Sequence, residues 1–174
     1  MLFRSLLQRF AELTGLVDST IRDVWRIATE LRPGVLDTFG PIAAIEWLAE
    51  DFRKRTGILC GYEGMEDLDA GEELSTTLFR ICQEALTNVA RHAEATEVAI
   101  RLTADGEWLS LEIVDNGKGI SLETLARTSS LGVMGMRERA RMAGGAIEIR
   151  AGVGHGATVV ARLPLQGAAQ GARA

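Results

Sequence analysis

Residues 74–93 constrain the fold more than any other part of the chain. Leu78, Ile81, Cys82, Ala85 and Val89 recur at helical spacing, which predicts a helix with one buried face. Glu84 and Asn88 are four apart, so they stand one above the other at the rim of that face. Directly downstream, residues 97–103 and 108–114 alternate apolar and polar around Ala104-Asp105-Gly106-Glu107, the pattern of a β-hairpin. The second of these strands runs into Asp115-Asn116-Gly117-Lys118-Gly119-Ile120. A second hairpin is expected from residues 146–151 and 157–163, around Gly152-Val153-Gly154-His155-Gly156. Between the hairpins lie a loop over residues 121–130 and a helix that ends at Gly144-Gly145. Helices mixed with antiparallel hairpins predict an α+β fold, a two-layer sandwich with helices on one face of a mixed sheet.

Upstream, the chain reads as helical. Leu2, Leu6, Leu7, Phe10 and Leu13 form one apolar stripe, and Val17, Ile21, Val24, Trp25, Ala28 and Leu31 form a second, closed by Pro33-Gly34. A two-helix hairpin buries too little surface to stand alone, so the stripes predict a homodimer. A third helix is expected over residues 41–55, with Ile42, Ala44, Ile45, Leu48 and Phe52 inward and Gly57 as terminator. Residues 60–73 are expected to hold a short strand and a loop. With 47% hydrophobic and 25% charged residues among 174, the composition is that of a soluble globular protein. The net charge of -5 argues against a nucleic-acid surface, which needs clustered Lys and Arg. No run approaches the ~20 apolar residues of a membrane span, and the amphipathic start is not a signal peptide. Cys60 and Cys82 lack metal-ligand spacing and a disulfide pattern, which suits a reducing cytoplasm.

Each motif has a bland reading and a chemical one. Glu84 and Asn88 form either a solvated polar edge or an oxygen-donor pair for hydrated Mg²⁺, which would neutralise phosphates. Asp115 closes an Asx turn, or offers a carboxylate to an exocyclic amine at the bottom of a pocket. Gly117 and Gly119 let the backbone approach a flat ligand. The stretch Leu131-Gly132-Val133-Met134-Gly135-Met136-Arg137-Glu138-Arg139 opens a helix whose first N–H groups can cradle phosphate. Thr158 is either a β-branched strand residue or a ligand contact. His92 has a structural and a functional reading of equal weight.

In this order the motifs resemble the nucleotide pocket of the GHKL ATPases. Gln83-Glu84-Ala85-Leu86-Thr87-Asn88-Val89-Ala90-Arg91-His92-Ala93 is worded most like sensor histidine kinases of the nitrate-sensor and desaturase-sensor type. The resemblance implies a Bergerat-type ATP-binding fold, with ATP and Mg²⁺ as ligands. It implies that Asn88 binds the metal and that Glu84 serves metal hydration or acts as general base. Arg91 and His92 would reach the phosphates. Asp115 would select adenine over guanine, whose carbonyl it repels. Gly117, Gly119 and Ile120 would line the pocket, as would Leu131, Gly132, Val133, Gly135 and Met136 of the second glycine box. Gly156-Ala157-Thr158 matches the last glycine box, with Thr158 contacting adenine directly or through water. Residues 121–130 match the lid over ATP.

Leu31-Arg32-Pro33-Gly34-Val35-Leu36-Asp37 and Trp47-Leu48-Ala49-Glu50-Asp51-Phe52 extend the resemblance. They mark residues 1–40 as the later part of a dimerisation and phosphoacceptor hairpin and 41–165 as the ATP-binding domain. Residues 166–174, rich in Ala and Gly, are expected to be disordered. The family's acceptor histidine has no counterpart, because the chain has only His92 and His155. The chain is therefore expected to be a fragment of a longer, cytoplasmic or membrane-anchored kinase that serves a response regulator receiver domain. The alternatives are a stand-alone ATP-binding regulatory module and a serine kinase acting on an anti-anti-sigma factor.

Overall fold

The computed structural model describes residues 34–119, 131–151 and 156–165. The expected N-terminal helices, Ile120, the 121–130 loop, His155 and the tail lie outside the described residues. The elements in order are α1 (Gly34–Thr56), β1 (Leu59–Gly64), α2 (Gly71–Asn88), a π-helical turn (Val89–Ala93), β2 (Glu97–Asp105), β3 (Trp108–Asp115), α3 (Leu131–Met142), β4 (Ala146–Ala151) and β5 (Ala157–Pro164).

The described residues form one five-stranded sheet in the order β1-β2-β3-β5-β4. β1 runs parallel to β2, and the other pairs are antiparallel, so the sheet is mixed as expected. Alternation decides its faces. Val98, Ile100, Leu102, Leu109, Leu111, Ile113, Ala161 and Leu163 are all buried and face the helices. α1 packs on α2 and β1, and α3 packs on α2 and β4. The opposite face carries ion pairs such as Arg101–Glu63 at 3.2 Å and Arg150–Glu148 at 2.7 Å.

α1 is two helical pieces joined at Gly40, whose φ of 80° breaks the helix. Pro41 then restarts it, since proline has no N–H to lose and its φ is preset. From Pro41 the helix runs to Thr56, and Gly57 (φ 74°) donates its N–H to the Arg53 carbonyl at 2.9 Å. Ile42, Ala44, Ile45, Leu48 and Phe52 are buried, as the spacing predicts. The helical turn before Gly40 departs from expectation, because Pro33-Gly34 signals a break. Leu36 explains it: only 4% exposed, it belongs to the core and draws the backbone in.

α2 starts three residues before the expected helix, and its last turn widens into the π-helical Val89–Ala93. Leu78, Ile81, Cys82, Ala85 and Val89 are buried as predicted. Glu94, at a left-handed φ of 53°, ends the turn and frees the chain for β2. The first hairpin turn is shorter than predicted. Ala104 and Asp105 stay in the strand, Asp105 pairs with Trp108, and Gly106-Glu107 alone form the turn.

Candidate functional site

The end of α2, the start of β2, the end of β3 and the start of β5 meet at one end of the sheet. Asp115 closes β3 there, only 7% exposed and on the helix-facing side. Its Oδ1 accepts the N–H of Gly117 at 2.9 Å, the Asx turn that the sequence allowed. Among the described residues no hydrogen-bond donor reaches Oδ2.

The loop after Asp115 is held from three sides. Asn116 Oδ1 accepts the N–H groups of Thr96 and Glu97 at 2.9 and 3.0 Å, and its Nδ2 donates to Thr96 Oγ1 at 2.9 Å. The Lys118 N–H donates to the Ala93 carbonyl at 2.8 Å, and the Lys118 ammonium pairs with Glu94. That pairing holds the Glu94 carboxyl below its ordinary range. The Gly156 N–H donates to the Gly117 carbonyl at 2.9 Å. Glycine is required at Gly117 and Gly156, because a Cβ would overlap the carbonyl oxygens of Ala93 and Asp115. Asn116 was not singled out from the sequence, yet it is the clamp that fixes the loop. The Asp-Asn-Gly spelling, typical of Asx-type bonding, was the available signal.

Glu84 and Asn88 lie on one flank of α2, both partly exposed. Gly132 sits in the first turn of α3 directly against Glu84. The two oxygen donors suit a hard cation such as Mg²⁺. No cluster of three His, Cys, Asp or Glu exists among the described residues, so most ligands of such an ion would come from phosphates and water. Arg91 and His92 are exposed on the π-helical turn.

Other predicted site residues sit differently. Gly135 is five residues into α3, where its N–H belongs to the helix's own ladder rather than to the free first turn. Met136 is fully buried in the core and anchors α3 to the sheet rather than lining an open pocket, and half-buried Val133 packs against that core. Leu131 opens the helix. Thr158 pairs with Val114 and Arg150, which puts it on the charged face of the sheet, away from Asp115. Ala157 is the residue that pairs with Asp115 and shares its face. The strand period of two separates them.

Residues 73–167 match the family described as Histidine kinase-, DNA gyrase B-, and HSP90-like ATPase. The chain belongs to this ATPase family. Its ATP-binding domain therefore contains Asp115, α2 and α3. One relative is the signal transduction histidine-protein kinase/phosphatase DegS of Brevibacillus brevis, 31% identical over 160 residues. The match covers 91% of this chain and 41% of that protein, so the chain spans about two fifths of its relative. The histidine kinase domain of the blue-light activated histidine kinase from Erythrobacter litoralis EL346 has the same fold, with a TM-score of 0.59 and 22% identity. That likeness covers 70% of this chain and 61% of the other. The mycobacterial sensor histidine kinase MprB is similar, with a TM-score of 0.57 and 24% identity over 70% of this chain and 91% of the other.

Two further features do not belong to the candidate site. A cleft of about 370 Å³, lined by Phe39, Pro41, Glu46, Tyr62 and Met65, opens between the start of α1 and the end of β1. Cys82 is fully buried and Cys60 half-buried, and desolvation pushes the Cys60 thiol up to about 11 and Cys82 higher still. Both are protonated at neutral pH, which fits a packing role. No helix among the described residues is long and apolar enough to cross a membrane.

Proposed function

We propose that this chain is the catalytic part of a sensor histidine kinase. It would transfer the γ-phosphoryl group of ATP to a histidine of its dimerisation hairpin, for relay to an aspartate of a response regulator. The observation that carries this reading is the reach of the similarity to DegS. It covers 91% of the chain and so extends into the segment ahead of Gly34, which a bare ATP-binding module would not share.

In this reading Asp115 Oδ2 accepts the exocyclic amine of adenine, while Oδ1 stays committed to Gly117. Gly117 and Gly119 bring the backbone close to the base, and the first N–H groups of α3, with Leu131, Gly132 and Val133, face the phosphates. Asn88, with Glu84 beside it, would hold Mg²⁺, which neutralises phosphate charge when bound. Arg91 and His92 add cationic and hydrogen-bonding capacity on the exposed turn. The acceptor imidazole attacks the γ-phosphorus, an N–P bond forms, and the bond to the β–γ bridging oxygen breaks. ADP departs, and the imidazole N–H proton passes to water. The N-terminal stripes supply the homodimer, and the compartment is the cytoplasm.

Incubating the chain with γ-labelled ATP, Mg²⁺ and a histidine-bearing acceptor hairpin tests this. The expected result is label on the hairpin that is stable to base and lost in acid. Acid-stable label on serine would favour the serine-kinase reading. Nucleotide binding without any transfer would leave a regulatory module.

A further inference from the structure

We propose that Asn116 is a positioning residue for nucleotide binding, which it serves by fastening the loop after Asp115 to the corner that leads into β2. The role rests on reading Asp115 as the base contact. The β2–β3 ladder ends at the Val98–Asp115 pair, and there the Asn116 side chain takes over from the backbone. Its Oδ1 accepts two successive N–H groups, Thr96 at 2.9 Å and Glu97 at 3.0 Å, which uses both lone pairs of that oxygen. Its Nδ2 donates to Thr96 Oγ1 at 2.9 Å, and its own N–H donates to the Glu97 carbonyl at 3.2 Å. These partners decide which way the amide points, since the flipped form would turn an NH₂ toward two N–H donors.

The loop's other ties are single bonds. The Lys118 N–H reaches the Ala93 carbonyl at 2.8 Å, and the Gly156 N–H reaches the Gly117 carbonyl at 2.9 Å. The Lys118–Glu94 ion pair, 2.6 Å long, is exposed and adds little in water. Asn116 is exposed too, so water can satisfy Thr96 and Glu97 once its side chain is gone, and the fold survives that loss. What water does not supply is the tie between loop and corner. Without it the loop that carries Gly117 is held less firmly, and the Gly117 N–H is the group that engages Asp115 Oδ1. The nucleotide then has to order the loop as it binds, which costs affinity.

Side chains of graded bonding capacity at residue 116 test this in the full chain, with ATP and Mg²⁺ titrated by calorimetry. Asn116→Leu keeps the size and removes the bonds, so ATP affinity should fall roughly fivefold to tenfold. Asn116→Asp should return it to within about twofold of the parent. One carboxylate oxygen still accepts both N–H groups, and the Thr96 hydroxyl can turn to donate to the other. Gly106→Ala is the control for stability, because it strains the same hairpin at its far turn. Its urea midpoint should fall while its ATP affinity stays that of the parent. Without nucleotide, the amides of Thr96 and Glu97 should exchange slowly in the parent and in Asn116→Asp, and fast in Asn116→Leu. Parent-like ATP affinity in Asn116→Leu, no rescue by aspartate, or an equal loss of affinity in Gly106→Ala would each overturn the proposal. Asp115→Asn keeps the two failures apart. If that variant binds ATP as well as the parent, the base reading fails by itself, and the exchange pattern still decides whether Asn116 fastens the loop.

Discussion

At the residue scale the proposed site turns on one carboxylate with its two oxygens assigned differently. Asp115 Oδ1 accepts the Gly117 N–H, and Oδ2, without a described donor, is the oxygen proposed to accept from adenine. Asp115→Asn can keep the first bond through its carbonyl oxygen and then presents an NH₂ to the adenine amine, donor against donor. ATP affinity should drop by tenfold or more, in line with the ~1–3 kcal/mol of a buried polar mismatch. The circular dichroism spectrum should not change. Calorimetry with ATP and GTP checks this, and a parent protein that binds both equally would remove Asp115 as the base selector. Thr158 supplies the complement. Its register with Val114 puts it on the other face, so Thr158→Ala should change ATP affinity by no more than about twofold, the scale of an ordinary surface substitution. The motif spelling pointed to Thr158 because glycine boxes are read by order. A face, in contrast, is set by counting from the Asp115–Ala157 pair, and a single-residue offset exchanges the two sides.

At the element scale, what could be read early was whatever one segment decides alone. Five apolar positions fixed the buried side of α2, and the Pro41 start and Gly57 stop framed the long part of α1. The first hairpin turn was misread because Ala104 and Asp105 are poor strand formers, and only pairing across the ladder keeps them extended. That leaves Gly106 as the residue with left-handed backbone, at φ 60° and with open space around it. Gly106→Ala should therefore destabilise purely through the backbone, by about 1 kcal/mol. Urea unfolding with an unchanged slope would show it. A neutral result would mean that the turn relaxes to another type. The glycine contacts at Gly117, Gly132 and Gly156 were legible as glycines but not as contacts, since each is met by an element distant in sequence.

At the scale of the whole molecule, the question is where the ATP-binding unit meets the proposed dimerisation segment. The sequence put the division between residues 40 and 41, at the glycine that does break α1. Packing argues for an earlier point: Leu36 is only 4% exposed and sits in the same core as Phe52 and Leu78. The helical turn before Gly40 thus docks on the ATPase domain although its backbone is separated by a kink. Two truncations distinguish these boundaries. Deleting the residues before Gly34 removes the apolar stripes, each large side chain of which needs burial worth roughly 1.5–3 kcal/mol, so the dimer should be lost. The monomer that remains should bind ATP with the affinity of the parent. Deleting the residues before Pro41 also removes Leu36, and should lower stability by about 2 kcal/mol relative to the first truncation. Light scattering reads the first effect, and urea unfolding reads the second. Equal stability of the two monomers would show that Leu36 only covers the core without anchoring it. A dimer that survives the Gly34 truncation would put the dimer contact on the ATP-binding unit itself.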